Sequence, residues 1–309
     1  MIKNTNSEII EGRVQEHDLQ IRTVQRTESP NFGKEFISGT IRVATDDAGL
    51  NVVPVHYSYV TPTTKNNQPN STFNNLKKII ETGKTVSTDG FENATIVKLT
   101  PSLALNDYYP NGQDEPVSVQ RNEGGFCSIL SNLHPEGERN KFTFDAFIND
   151  VIVHEPDEDN NIKEKYLTIN CLVFDFKKAA LPVKLVAKRP DVIKYFENLG
   201  VSKTEPVYMK LWGQILNSTI SVERRTEAAF GEDAVDVSTR SIREWVITGG
   251  STTQYDIDEE LAGEIKKALE DRAIYLAERK ASDAAYAASR NAAPAPTVAP
   301  VAKEGSFNF

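Results

Sequence analysis

Long apolar runs are missing from this 309-residue chain. Nothing approaches the roughly eighteen consecutive apolar residues of a membrane-crossing helix, and no basic start with an apolar centre marks an export leader. Neither membrane insertion nor secretion is expected, and the expected location is the cytoplasm. Cysteine is nearly absent: Cys127 and Cys171 both fall within apolar strand patterns, and buried free thiols of a reducing compartment are expected. Histidine is scarce as well, and His17, His56, His134 and His154 have no zinc-like spacing with either cysteine. No Gly-x-Ser-x-Gly elbow is present. Gly83-Lys84-Thr85 resembles the end of a phosphate loop, but Lys78 stands where its first glycine is required. The acidic run Glu155–Asp159 lacks the glycine and final glutamate of a calcium loop. No catalytic residue, metal or cofactor is expected, and the chain is not expected to be an enzyme. Excess positive charge is also missing, with 35 Lys+Arg against 44 Asp+Glu and a net charge of −9. Indiscriminate polyanion binding is therefore disfavoured; a local basic groove is not.

What is present is a basic hairpin, Ile162–Lys188. Leu167, Ile169, Cys171 and Val173 alternate with Tyr166, Thr168, Asn170, Leu172 and Phe174, so the first set is expected in a core and the second on a working surface. Over Ile162–Arg189 seven Lys/Arg face two Asp/Glu, a local charge of +5 in an acidic chain.

Around it the chain reads as a mainly β, α+β protein. The first half offers a long bent strand within Gly12–Val24, then strands at Phe32–Ala44 and Val52–Val60. A helix at Thr72–Thr82 closed by Gly83 follows, with strands at Ala94–Leu99 and Gly125–Leu130. The order returns with Phe142–His154, the basic hairpin, a helix opened by Pro190 and closed by Gly200, and strands at Val207–Leu216 and Ile242–Thr248. Val53-Pro54-Val55-His56 matches Leu181-Pro182-Val183-Lys184, Lys98-Leu99 matches Lys210-Leu211, and Phe126 is aligned with Trp245. Together these matches indicate a divergent duplication. Five strands with a helix between the third and fourth is the order of the OB barrel, which binds oligonucleotides on strands two and three and with its 1–2 and 4–5 loops. Two tandem OB-like five-stranded barrels are expected, at 8–134 and 140–250. A C-terminal helix is expected at 256–288, with Asp256 and Glu259 at its start and a stripe of Ile257, Leu261, Ile265, Leu269, Ala273 and Leu276. Residues 289–309 are expected to be a flexible Ala/Pro spacer with a phenylalanine-bearing tip.

A single-strand groove needs cations for phosphates and aromatic faces for bases. The second unit supplies Lys163, Lys165, Tyr166, Phe174, Lys177, Lys178, Lys184 and Trp212, and the first Phe32, Lys34, Phe36, Arg42, His56 and Tyr57. Arg224 and Arg225 open the second 4–5 loop, while Tyr108, Tyr109 and Arg121 fall in the first. Phe176 and Trp245 are assigned to the core.

The duplicated order, the basic–aromatic hairpins and the spacer ending in Phe307 and Phe309 together resemble a phage-encoded single-stranded DNA-binding protein. The resemblance implies a non-enzymatic protein that coats single-stranded DNA in replication or recombination with little sequence preference, in the host cytoplasm. It also implies a tip, Phe307 and Phe309, that docks replication or recombination proteins. Homo-oligomers are compatible with it. The alternative is a structural or assembly component, virion or scaffold, whose β domains bind protein; net acidity and the C-terminal helix are its features.

Overall fold

The computed structural model describes every residue except 111–112, 158–161, 227–229, 231–233 and 293–309, and gives backbone alone for 218–226, 234–242 and 287–292. The chain is mainly β with a few helices. In order it forms β1 (Asn6–His17), β2 (Gln20–Thr23), β3 (Glu35–Ala44), β4 (Val52–Val60), α1 (Ser71–Thr82), α2 (Val86–Asp89), a 3₁₀ turn at Phe91–Asn93, β5 (Ile96–Tyr108) and β6 (Val117–Leu130). Then follow α3 (Glu136–Arg139), β7 (Asn140–His154), β8 (Tyr166–Phe174), β9 (Ala180–Ala187), α4 (Pro190–Leu199), β10 (Val207–Thr226), β11 (Ala234–Gly250) and α5 (Glu259–Ala292).

The strands make one eleven-stranded sheet whose extra pairings close it upon itself twice. In the first circuit β1 is antiparallel to β3 and to β5, β3 to β4, and β5 to β6, while β4 runs parallel to β6 at Val55–Asn122. In the second, β7 is antiparallel to β8 and β10, β8 to β9, and β10 to β11, while β9 runs parallel to β11 at Val186–Val246. The start of β1 pairs with β7, Asn6 opposite Phe144, and joins the two rings. Alternation explains the interior. Ile10 and Val14 on β1, Val53 and Val55 on β4, Leu167 and Ile169 on β8, and Leu185 on β9 are fully buried in one cluster that spans both rings.

The repeat matches are only partly kept. Lys98 lies opposite Glu11 on β1 and Lys210 opposite Asp145 on β7. Each lysine reaches its nearly buried acid at 3.9 and 4.0 Å respectively. Phe126 and Trp245 are not equivalent: Phe126 lies opposite Thr100 and is 72% exposed, whereas Trp245 lies opposite Ile215 and is buried. Phe176, expected in the core, is 82% exposed because it caps the β8–β9 turn instead of continuing β8. The expected 4–5 loops are largely strand. β5 with β6, and β10 with β11, extend as two-stranded ribbons beyond their rings.

Helix ends follow local chemistry. Asn70 caps α1 by accepting from Thr72 N–H, and Gly200 closes α4 at φ 66°. Asp258, not Asp256, starts α5: its Oδ1 accepts from Leu261 N–H at 2.7 Å. On α5 the face turned to the protein is Leu261, Ile265 and Ala268, packed with Ile2, Leu172, Phe174, Ala180 and Tyr208. Leu269, expected within the stripe, is exposed, since the contact follows 3.6-residue spacing from Ile265 to Ala268 and on to Arg272. Farther along, Arg272 pairs with buried Asp107 at 2.8 Å, and the Tyr109 hydroxyl donates to Leu276 O at 3.1 Å. The helix therefore straps the first ring's ribbon to the second ring. Cys127 and Cys171 are buried free thiols, and burial pushes the Cys127 thiol up to about 12. Among the described residues no helix is long and apolar enough to cross a membrane.

Candidate nucleic-acid interface

On the first ring the outer face of β3 and β4 is open. Thr40, Arg42 and His56 project outward between buried Ile41, Val43, Val55 and Tyr57. Period-two alternation therefore separates His56 from its neighbour: Tyr57, expected to stack on bases, is wholly buried. The β3–β4 register slips between Ile37–Val60 and Gly39–Tyr57, leaving both Ser58 and Tyr59 exposed. Tyr59 then meets Phe36 ring to ring at 4.7 Å. Simple alternation from Tyr57 places Tyr59 in the core, so its role has no signal in the sequence pattern. Phe32 is 54% exposed in the loop before β3, and Lys34, also exposed, donates to Asn31 Oδ1 at 3.1 Å.

The second ring's matching face is half covered. Leu172 and Phe174, expected on the working surface, are buried beneath α5. Phe174 is wholly enclosed and cannot stack on a base. Lys178 is held by Glu264 of α5 at 3.1 Å, and Lys165 by Glu155 at 2.8 Å and Glu197 at 2.7 Å. Tyr166 stacks on His154 at 4.3 Å. Lys163 and Lys177 are exposed, the latter over the Phe176 ring. Trp212 is 42% exposed on β10, opposite Thr143 of β7 and Gly249 of β11. Arg224 and Arg225 lie in β10, opposite Asp236 and Val235, with side chains outside the described residues. Phe307 and Phe309 lie outside the described residues too.

Between the rings the two ribbons cross-clasp. Gln120, on β6 of the first ring, accepts from Lys184 N–H at 2.7 Å and donates to Lys184 O at 3.2 Å. Reciprocally, Asn51, before β4, donates to Ile215 O at 3.0 Å and accepts from Asn217 N–H at 2.8 Å on β10. Beside these clasps opens a cavity of about 510 Å³ lined by Thr40, Arg42, His56, Arg121, Asn217 and Arg243, among others. Its described lining holds three arginines and no carboxylate. Arg42 comes from β3, Arg121 from β6 and Arg243 from β11. The Arg243 guanidinium also approaches Gln120 O at 3.5 Å.

These cations disturb one another. Desolvation and then the Arg42 guanidinium lower the pKa of Arg243, while Glu8 raises it. Desolvation and then Arg121 lower that of His56, which holds the imidazole neutral at pH 7 as a hydrogen-bonding group near Thr40 Oγ1, 3.3 Å away. Carboxylates at the margin offset part of the charge: Glu123 holds Arg121 at 2.7 Å, and Glu16 approaches Arg42 at 3.4 Å. Arginines from three strands thus line one space, with Nε and Nη2 of Arg121 both donating to Glu123 Oε2 at 3.0 and 2.7 Å; planar, permanently charged guanidiniums are the groups that suit an oxyanion. Arg243 carries no sequence signal, because only the β9–β11 pairing brings it to the first ring.

Comparison with known proteins yields a family and a distant likeness. A family model described as YorF matches residues 5–282. A search of curated proteins returns no match. The structure is similar to two crystal structures of the single-stranded DNA binding protein from Thermus aquaticus. The wild type shares 9% identity at TM-score 0.48, covering 84% of this chain and 97% of that one. A deletion mutant shares 11% at TM-score 0.47, covering 84% and 100%. At those values the likeness decides neither fold nor ligand.

Proposed function

The chain belongs to the YorF family, and we propose that it is a non-enzymatic protein that binds single-stranded DNA across its two rings. Each ring is proposed to be an OB barrel, since its pairing order, with strand three parallel to strand five, is the circuit such a barrel needs. Residues 8–134 and 140–250 are the two corresponding domains.

The observation that carries this is the seat of Arg42, Arg121 and Arg243 between the rings. A phosphodiester there relieves the repulsion and accepts charge-assisted hydrogen bonds. Along β3 the Phe36–Tyr59 pair lies about 13 Å from Thr40 by strand geometry, where a base can stack for roughly 1–3 kcal/mol. In the other direction Lys184, fixed by Gln120, continues the path onto the second ring. Phe36, Arg42, His56 and Lys184 are thus the proposed contacts among the expected residues, joined by Tyr59, Arg121 and Arg243. Phe32, Lys34, Lys163 and Lys177 are exposed and proposed as outlying contacts. Contacts to phosphates and ring faces imply little sequence preference.

The resemblance to phage single-stranded DNA-binding proteins supports a role in replication or recombination in a host cytoplasm, with the Phe307–Phe309 tip as the place for protein partners. The assembly reading loses a support, since Leu261, Ile265 and Ala268 of α5 are spent inside the chain. Titration of labelled dT oligomers at low and high salt tests the proposal. Binding that weakens steeply with salt is expected; no binding at micromolar protein in low salt overturns it.

A further inference from the structure

The anion seat has a buried neighbour that its binding chemistry does not use. Glu8 projects from β1 where that strand pairs with β7, opposite Phe142. Its side chain is wholly enclosed. Oε1 accepts from Trp245 Nε1 at 2.8 Å, and Oε2 has no hydrogen-bond partner among the described residues. Arg243 lies two residues before Trp245 on β11, hence on the same side of the strand, and its charge reaches Glu8.

We propose that Glu8 is a positioning residue for the seat: in its neutral form it leaves Arg243 to a bound phosphate, and on ionising it draws that guanidinium inward, so that polyanion binding weakens toward alkaline pH. The inference rests on the single-strand binding proposed above. An enclosed carboxyl with one bare oxygen cannot hold a charge without cost, and burial pushes its pKa up to about 8 against the opposing effects of the Trp245 bond and Arg243. The proton is released to solvent, and the new carboxylate then competes with a phosphate for one cation.

The other charged groups around it are already committed. On β1 Glu11 is bound by His134 and approached by Lys98. On β7 Asp145 accepts from the Tyr255 hydroxyl and is approached by Lys210 of β10. On β3 Arg42 faces Glu16 and Arg243. Among the described residues, Arg243 is the cation whose charge acts on Glu8.

Anisotropy of a labelled dT oligomer, measured from pH 6.5 to 9.5 at fixed ionic strength with the full chain, separates the outcomes. The unaltered chain is expected to lose about tenfold in affinity, the equivalent of one charge-assisted hydrogen bond, with its midpoint near pH 8. Glu8→Gln is expected to give a flat profile, and Arg243→Gln a weaker and equally flat one. A decline in Glu8→Gln as steep as in the unaltered chain, or no decline in the unaltered chain, overturns the positioning role and leaves DNA binding standing. Absence of binding at every pH overturns both. A second readout covers failure of Glu8→Gln to fold. With Trp212→Phe, Trp245 becomes the sole indole, and its emission should titrate near pH 8; an emission constant over that range overturns the proposal.

Discussion

The two rings share a pairing circuit, a helix after the third strand and a lysine facing a buried acid between strands four and one, yet they present opposite surfaces. On the first ring β3 and β4 leave Thr40, Arg42 and His56 half-buried on an uncovered face, with Phe36 and Tyr59 paired farther along it. On the second, α5 lies over Leu172 and Phe174 and ties up Lys178. Two rings of like circuit thus differ in what covers them: one keeps the face proposed to bind, and the other anchors the helix. The second ring reaches the first through its ribbon and edge, where Arg243 lines the shared cavity and the Lys184 backbone is held by Gln120. The lesson is that the same alternation on equivalent strands specifies which side is the core, while the role of the other side depends on what the rest of the chain lays across it.

The largest effect that sharpens this contrast is structural. Phe174→Ala should destabilise the protein by about 3–5 kcal/mol, as read from chemical denaturation; a near-neutral result would place Phe174 on the surface instead. Close behind is the pH dependence of stability. With Glu8 raised from 4.5 to about 8, the folded state binds a proton that the unfolded chain releases, so stability falls as pH climbs from 4.5 to 8 and is level above. Glu8→Gln should remove that slope and gain ~3 kcal/mol at pH 7; parallel denaturation midpoints across this window would contradict it.

On binding, Arg121→Glu should weaken dT-oligomer affinity more than about tenfold and flatten its salt dependence by roughly one ion. Tyr59→Ala should cost about 1–3 kcal/mol at any salt concentration. The smallest change is expected on the covered ring: reversing Lys177 and Lys178 together should cost ~0.5 kcal/mol or less. A loss there equal to that of Arg121→Glu would erase the distinction between the rings.

Much of the architecture is legible in the sequence. Period-two alternation locates β4 and β8, Gly83 closes α1, and Lys98-Leu99 with Lys210-Leu211 marks equivalent places in the two rings. What is not legible comes from contacts distant in the chain. Leu172 and Phe174 look outward by alternation, and only the docking of α5, almost ninety residues later, buries them. Tyr59 is turned outward by a one-residue slip of β4 against β3 that no composition signals. Arg243 joins Arg42 only because β11 lies beside β9 and its ribbon leans on the first ring. Lys165 looks like a phosphate contact until Glu197, brought in by α4, is seen beside it.

The most direct measurement compares the unaltered chain with the triple variant Arg42→Gln, Arg121→Gln, Arg243→Gln in a dT-oligomer titration repeated at several salt concentrations. If the seat between the rings holds the phosphate backbone, the variant loses most of its affinity, and its log–log salt slope shrinks by about 2–3. Equal affinity and an equal slope for the two proteins would show that single-stranded DNA, if bound at all, is bound elsewhere.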